Sequence, residues 1–342
     1  MADCKQGKDR KPRKHDGNAG SNLRDSLNTK GTATHRFIVF LRSGLMSAFQ
    51  KRVSAANSVW ARWLPLLAAL ALPVFCRAQE PPYFVTYSDY MEEPGNLELT
   101  LKSANGTPKY GNPFASGTLE FEYGVKGWWT TEVYLAGQHT SNDSTIFTGW
   151  RWENRFRPLA REHFINPVFY FEYENVNQAD RGLLEITGHN SVSDLLLTNA
   201  QGRSQTERSL ETKLILSSHS HNWDISENFI AEKDLNESDP WEFGYALGVS
   251  RPLSLAARGK ACVFCRENFS AGAELYGGLG TLDGFGLKAT SHYFGPTVEF
   301  NVPHGPSISF SPNFGLNDNS LGVLYRFNVS YELQQIFHGG SR

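Results

Sequence analysis

The sequence has no apolar stretch long enough to cross a membrane as a helix. Its longest apolar run, residues 63–75, is shorter than the roughly 18 residues that a membrane-spanning helix needs. The mean hydropathy of the 342-residue chain is only −0.41. A helical membrane protein is therefore excluded.

Basic residues are scarce beyond residue 78. Residues 1–78 contain 14 of the 33 Lys and Arg residues and 4 of the 35 Asp and Glu residues, which leaves 19 basic and 31 acidic side chains in residues 79–342. This later region therefore carries a formal net charge of −12. A nucleic acid partner is disfavoured, because phosphate binding needs a basic surface.

The apolar run at residues 63–75 has the length and setting of an export signal. Basic residues precede it and a small residue, Ala78, follows it. Cleavage is predicted between Ala78 and Gln79, so that residues 46–78 form a signal peptide and residues 79–342 the mature chain.

Residues 1–45 do not fit an export signal. They are basic, polar and without hydrophobic period, so we expect a disordered leader. Met46 would open a signal peptide of ordinary length and is predicted to be the true start, with a genuine cytoplasmic leader as the alternative.

Cysteine is rare in the predicted mature chain, where Cys262 and Cys265 are the two that remain of four. An oxidising periplasm favours a local disulfide between them, with an inert pair of thiols as the alternative. A zinc site would need two more ligands, and no further His or Cys neighbours the pair. No metal or other cofactor is predicted.

From residue 95 onward, apolar and polar residues alternate with the period of a β-strand. Leu119, Phe121 and Tyr123, for example, alternate with Glu120 and Glu122. Tight and longer connections also alternate, and an even number of strands returns both ends of the chain to one side. Twelve strands are predicted, at residues 95–104, 117–124, 129–138, 146–156, 167–176, 207–217, 222–233, 241–250, 268–279, 288–300, 306–314 and 320–333.

This pattern predicts an all-β fold, an antiparallel up-and-down transmembrane β-barrel with an apolar outer stripe and a polar interior. Aromatic residues near the strand ends suit the two membrane interfaces. A soluble periplasmic barrel or sandwich is the alternative, and it would place the apolar stripe inside.

The signal peptide, the strand–turn rhythm and the alternating last strand, Leu321 to Leu333, resemble Gram-negative outer-membrane β-barrel proteins. The resemblance covers about residues 79–337. The blocks Gly149-Trp-Arg-Trp-Glu-Asn-Arg155 and Phe169-Tyr-Phe-Glu-Tyr-Glu174 are similar to uncharacterised members of the phenol-degradation-operon type.

The resemblance implies a place in the outer membrane, in contact with its lipid, and recognition by the barrel-assembly machinery. Many members end on an aromatic residue that this machinery recognises. Phe337 corresponds to it here, although five further residues follow. The resemblance implies no substrate.

Charged residues crowd the polar stripe, which a twelve-stranded barrel would turn into a narrow lumen. Because unpaired charges are costly there, the pattern predicts a network of ion pairs that fills the barrel. It is also compatible with a narrow pore whose acidic excess favours cations or neutral polar solutes. The predicted lumen-lining residues are Glu120, Glu122, Glu132, Arg151, Glu153, Arg155, Glu172, Glu174, Glu211, Lys213, Glu242, Glu274 and Arg326.

A second hypothesis is lipid hydrolysis. His139 and Ser141, at the end of the third predicted strand, and Asn154 on the fourth are similar to the Ser-His-Asn site of outer-membrane phospholipase A. There His acts as base and Asn orients it. All three residues continue the predicted apolar face, but Asp143, which follows Asn142, replaces the glycine that the resemblance requires there. An ordinary polar loop is the more common explanation of such a pattern, so a non-enzymatic barrel remains the main hypothesis.

Overall fold

The computed structural model describes residues 80–182, 187, 194–236, 238–254 and 262–336, and the predicted leader, cleavage site and Phe337 lie outside them. Twelve long strands and one short strand make up the sheet. A helical turn (Asn199–Gly202) and two 3₁₀ turns (Asp194–Leu196 and Arg266–Asn268) lie between strands. The strands are β1 (Leu97–Gly106), β2 (Phe114–Lys126), β3 (Trp129–Thr140), β4 (Thr145–Phe156), β5 (Asn166–Asn177), β6 (Thr206–Ser220), β7 (Trp223–Asp234), β8 (Glu242–Pro252), β9 (Phe269–Thr281), β10 (Gly284–Phe285), β11 (His292–Asn301), β12 (Ser307–Gly315) and β13 (Val323–Leu333).

The twelve long strands form a closed antiparallel barrel. Each pairs with the next in the chain, with β9 pairing to β11 past the two-residue β10. The first and last strands then pair antiparallel, from Leu97 opposite Leu333 to Gly106 opposite Leu324. Closure gives hydrogen-bond partners to the backbone N–H and C=O groups that a free sheet edge would expose. A strand in lipid needs these partners, because no water is present to supply them. The predicted fold class is confirmed.

The predicted strands and the observed ones differ most at two places. The strand β11 begins at His292 and not at residue 288, because the preceding residues form a loop. Asn317 and Asn319 hold that loop by donating to the carbonyls of Thr290 and Lys288, at 2.7 and 2.9 Å. The two-residue β10 was not predicted, because so short a pairing leaves no periodic pattern.

The apolar stripe faces outward. On β4 and β5, Trp152 and Phe171 are 50% and 46% exposed, whereas the side chains of Glu153 and Glu172 are 0% and 1% exposed. A soluble protein buries its apolar face, so the soluble alternative is wrong. The same alternation around the barrel gives the polar interior and apolar exterior of a membrane-spanning barrel.

The two ends of the barrel differ in their connections. At the end where the chain enters β1 and leaves β13, residues 127–128 and 221–222 make tight turns. At the opposite end, the connection 178–205 is the longest. Short turns mark the periplasmic end of outer-membrane barrels, so we name the two ends periplasmic and external.

Aromatic side chains cluster at the periplasmic end. Trp128, Trp129 and Phe156 stack with ring centroids 6.1–6.3 Å apart. Amphipathic rings of this kind suit a membrane interface. Cys262 and Cys265 form a disulfide in the link between β8 and β9 at this end, with their Cα atoms 5.6 Å apart. No helix among the described residues is long and apolar enough to cross a membrane.

Candidate functional site in the barrel lumen

The residues before β1 lie inside the barrel. We call residues 80–96 the N-terminal segment. The carboxylate of Glu274 on β9 accepts hydrogen bonds from the backbone N–H groups of Phe84, Val85 and Thr86, at 2.9, 2.9 and 2.7 Å. Three successive donors on one carboxylate hold this part of the segment against the wall.

Both ends of the segment return to the periplasmic end of the barrel. On one side, the hydroxyl of Tyr83 donates to Asp224 near the start of β7, at 2.7 Å. On the other, the N–H of Glu92 donates to Thr130 near the start of β3, at 3.2 Å. The segment is therefore a loop that enters from the periplasmic side and turns around inside the lumen.

A network of charges joins the segment to the wall. Arg155 on β4 contacts Glu122, Glu132 and Glu153, and it donates to the backbone carbonyl of Tyr90 at 3.2 Å. The guanidinium thereby offsets the negative charge of three carboxylates in the lumen and donates a hydrogen bond to one carbonyl of the segment.

Tyr87 is the second link between segment and wall. Its hydroxyl donates to Glu153 at 3.0 Å, and Tyr134 donates to the same carboxylate oxygen at 2.7 Å. Its backbone exchanges two hydrogen bonds with Asn228 on β7, at 2.7 and 2.8 Å. The Lys213 ammonium lies 4.5 Å from the centre of the Tyr87 ring. The segment therefore occupies part of the periplasmic half of the lumen and is held there by side chains of several strands.

A cavity of about 370 Å³ lies above the segment, towards the external end. Phe84, Val85 and Tyr87 form its floor. Among the described residues, seven carboxylate side chains and five basic ones line it: Glu174, Asp180, Glu207, Glu211, Glu232, Asp234 and Asp239, with Lys102, Arg151, Arg181, Lys213 and Arg326.

The structure places most of the predicted lumen residues inside the barrel, buried and in contact with one another. Lys102 pairs with Glu120, Arg151 with Glu172 at 3.2 Å, and Lys213 with Glu211 at 2.8 Å. Glu242, at the external start of β8, is only half-buried. The buried members are Glu120, Glu122, Glu132, Arg151, Glu153, Arg155, Glu172, Glu174, Glu211, Lys213, Glu274 and Arg326.

The three residues of the lipid-hydrolysis hypothesis do not meet. Asn154 lies opposite Thr131 near the periplasmic end, eight residues along β3 from His139, or about 26 Å at the usual rise per residue. Its side chain accepts a hydrogen bond from the Trp129 indole at 3.0 Å, and the His139 ring contacts Thr145 at 2.8 Å. A shared outward face does not bring His139 and Asn154 together, because strand register sets how far apart they lie along the barrel axis. The Ser141 site is therefore not assembled.

Sequence reasoning missed the N-terminal segment. Residues 80–96 have no strand period, and their interior position depends on partners more than 100 residues away, such as Glu274 and Asn228. Three tyrosines within eight residues, Tyr83, Tyr87 and Tyr90, were the one available signal, because a polar-tipped ring suits a polar interior.

Three carboxylates lie together where the segment meets the periplasmic end: Glu80, Glu92 and Glu98, each offering one oxygen within 4.8 Å of the others. Burial, then the neighbouring Glu98 and Glu332, raise the pKa of Glu92 to about 8. Burial, then Glu98 and Glu299, raise the pKa of Glu80 well above its usual value. The cluster therefore cannot carry its full negative charge unless a positive charge joins it.

The closed sheet, the outward apolar face and the charged interior together decide the class of protein. The chain is an outer-membrane β-barrel. No protein-family model matches its sequence, and no curated protein matches it.

Comparison with solved structures finds other barrels of similar fold. An outer membrane channel from Pseudomonas putida F1 is 14% identical over 73% of this chain and 99% of that chain, with a TM-score of 0.48. The KdgM porin is 6% identical over 69% and 98%, with a TM-score of 0.41. LpxR from Salmonella typhimurium is 9% identical over 68% and 99%, with a TM-score of 0.37. At this distance the likeness concerns the fold alone.

Proposed function

We propose that the barrel is a channel for small polar solutes and that its N-terminal segment is the gate. The observation that carries this proposal is the cavity of about 370 Å³ between the segment and the external connections. It is lined by charged and polar side chains, which a solute path through a membrane requires and a purely structural barrel does not.

The lining also favours a class of solute. Seven carboxylates against five basic groups leave an acidic excess around the cavity. Three of the basic groups, Lys102, Arg151 and Lys213, are already paired with carboxylates of the wall. Cations and neutral polar molecules are therefore the expected cargo, because an anion would meet uncompensated negative charge.

The gate follows from how the segment is attached. Its contacts with the barrel, apart from the peptide bond into β1, are hydrogen bonds and charge contacts such as those of Glu274 and Asn228, and no disulfide between described residues fastens it to the wall. A solute that passes from the cavity to the periplasmic end must displace the segment. The proposed resting state is closed, and movement of residues 80–92 opens it.

Planar-bilayer recording of the purified protein tests the proposal. The wild type is expected to stay closed with brief openings, whereas a variant lacking residues 80–92 is expected to give stable, larger conductance steps. With a KCl gradient across the bilayer, the sign of the reversal potential should show that the channel prefers K⁺ to Cl⁻. A double variant, Tyr87→Ala with Asn228→Ala, tests the gate without a deletion and should open more often than the wild type.

Gel migration before and after heating establishes that each variant is folded. Glu162→Gln, an exposed change in the periplasmic link between β4 and β5, is the matched control and should conduct like the wild type. If folded barrels that lack residues 80–92 remain sealed, the channel proposal is wrong and a structural role remains.

A further inference from the structure

Three clusters of carboxylates lie in the lumen among the residues that the structure describes, and they differ in how their charge is balanced. The cluster of Glu120, Glu122 and Glu132 contacts Lys102 and Arg155. The cluster of Glu172, Glu174 and Glu211 contacts Arg151 and Lys213. In both, Lys and Arg offset the cost of burying several negative charges.

The third cluster, Glu80, Glu92 and Glu98, has no such partner. Within the part of the chain that the structure describes, none of these three carboxylates lies within 4.0 Å of a Lys or Arg nitrogen. Arg155 acts on Glu80 only from a longer distance, because its guanidinium is occupied by Glu122, Glu132 and Glu153. The balancing charge must therefore come from protons or from a bound cation.

Glu92 is the residue that distinguishes this cluster from an ordinary acidic patch. Its side chain is 1% exposed, and neither of its carboxylate oxygens accepts a hydrogen bond of normal geometry from a described residue, with the Asn96 side chain and the Glu93 N–H as the nearest donors. A buried carboxylate without a well-formed hydrogen bond is costly, and native structures rarely tolerate one. One oxygen of Glu92 lies within 4.8 Å of one oxygen of Glu80 and one of Glu98, and three such oxygens can serve as the ligands of a cation.

We infer that Glu80, Glu92 and Glu98 bind one Ca²⁺ ion, which fastens the N-terminal segment to the start of β1. One oxygen of each residue lies within 4.8 Å of the others, which fits ligands around an ion at 2.3–2.6 Å. Two of the ligands belong to the segment and one to the barrel wall, so the ion bridges them.

The chemistry of the ligands selects the ion. All three protein donors are carboxylate oxygens, which suit hard cations and not zinc or copper. Ca²⁺ accepts six to eight oxygens in irregular arrangements, whereas Mg²⁺ demands a near-ideal octahedron. The half-buried Glu80 leaves room for water to complete the shell.

Binding is tested directly with Tb³⁺, a luminescent substitute for Ca²⁺, and with Ca²⁺ itself by calorimetry on the detergent-solubilised protein. Tyr90 lies beside Glu80 and Glu92 and can transfer excitation to a bound Tb³⁺. We expect one saturable site per barrel, displacement of Tb³⁺ by Ca²⁺, and a higher unfolding temperature when Ca²⁺ is present. The Glu92→Gln variant should lose at least about tenfold in Ca²⁺ affinity, because ligand charge sets the affinity of such sites.

Glu93→Gln is the matched control, because Glu93 is adjacent to Glu92 but exposed, and it should bind Ca²⁺ like the wild type. Absence of saturable binding to the wild type, or equal binding by Glu92→Gln, would contradict the inference. If Glu92→Gln stabilises the barrel and Ca²⁺ affects neither protein, protons balance the cluster and the inference is wrong. None of these measurements needs conduction, so their outcome is separate from that of the proposed channel.

Discussion

Arg155 shows how a single residue organises the lumen. It comes from β4 and contacts carboxylates of three strands, Glu122 on β2, Glu132 on β3 and Glu153 on its own strand. Its side chain is buried, so these carboxylates have little water to replace the guanidinium. Removal of one partner from such a group costs far more than the intact group contributes, because it leaves buried charges uncompensated.

Arg155→Met is therefore expected to destabilise the barrel by about 3–5 kcal/mol. Urea unfolding from lipid vesicles measures the change, and Arg155→Lys should recover part of it. Arg161→Met, an exposed change in the following periplasmic link, is the control and should leave the unfolding midpoint within about 0.5 kcal/mol of the wild type. An unchanged midpoint for Arg155→Met would show that the network contributes no stability.

At the scale of an element, the N-terminal segment depends on Glu274. Loops rarely lie inside a protein, because their backbone groups need partners there. Here one carboxylate on β9 accepts from three consecutive N–H groups, of Phe84, Val85 and Thr86. The strand thus supplies the acceptors that a neighbouring strand would supply in a sheet.

Glu274→Gln should loosen the segment and leave the barrel folded. The substitution replaces a charged carboxylate by a neutral amide, and hydrogen bonds to the charged group are worth about 1.5–3 kcal/mol each. Hydrogen exchange at residues 84–86 should accelerate by about tenfold or more, since every 1.4 kcal/mol is a factor of ten. Strand amides should keep their protection. Exchange at residues 84–86 that matches the wild type and a Glu162→Gln control would show that Glu274 does not hold the segment.

At the scale of the whole molecule, the outer surface determines where the barrel resides. Phe171, in the middle of β5, is 46% exposed, as are many large apolar residues on the other strands. In water, proteins with such an apolar surface would aggregate, whereas in a bilayer the same surface lies against lipid acyl chains at little cost in free energy. Phe264, in the disulfide-containing link, is 80% exposed but lies beyond the strands.

Phe171→Arg is expected to cost about 2–4 kcal/mol of folding in lipid, the range for a cation at the bilayer midplane. Phe264→Arg should cost only about 0–1 kcal/mol, because interfacial positions tolerate charge. Urea-dependent refolding into vesicles, followed by tryptophan fluorescence, measures both. Equal costs at the two positions would mean that β5 does not cross the bilayer at Phe171.

The sequence by itself determined the class of fold, the number of long strands and, in the strands that alternate regularly, the face on which a side chain lies. Side chains alternate strictly along a strand, so the positions of Glu153 inside and Trp152 outside follow from local order alone. The outward direction of the apolar stripe rested on further signals, the export segment and the strand count, because alternation is the same in either orientation.

Only the tertiary structure decided which residues meet. Strand register sets the position of each residue along the barrel. It separates Asn154 from His139, and it brings carboxylates of β2 and β3 to Arg155 on β4. The N-terminal segment has no period of its own, and its place inside the lumen comes from contacts with Glu274 and Asn228 far along the chain. Such contacts exist only after the barrel has closed, and for that physical reason no local pattern could predict them.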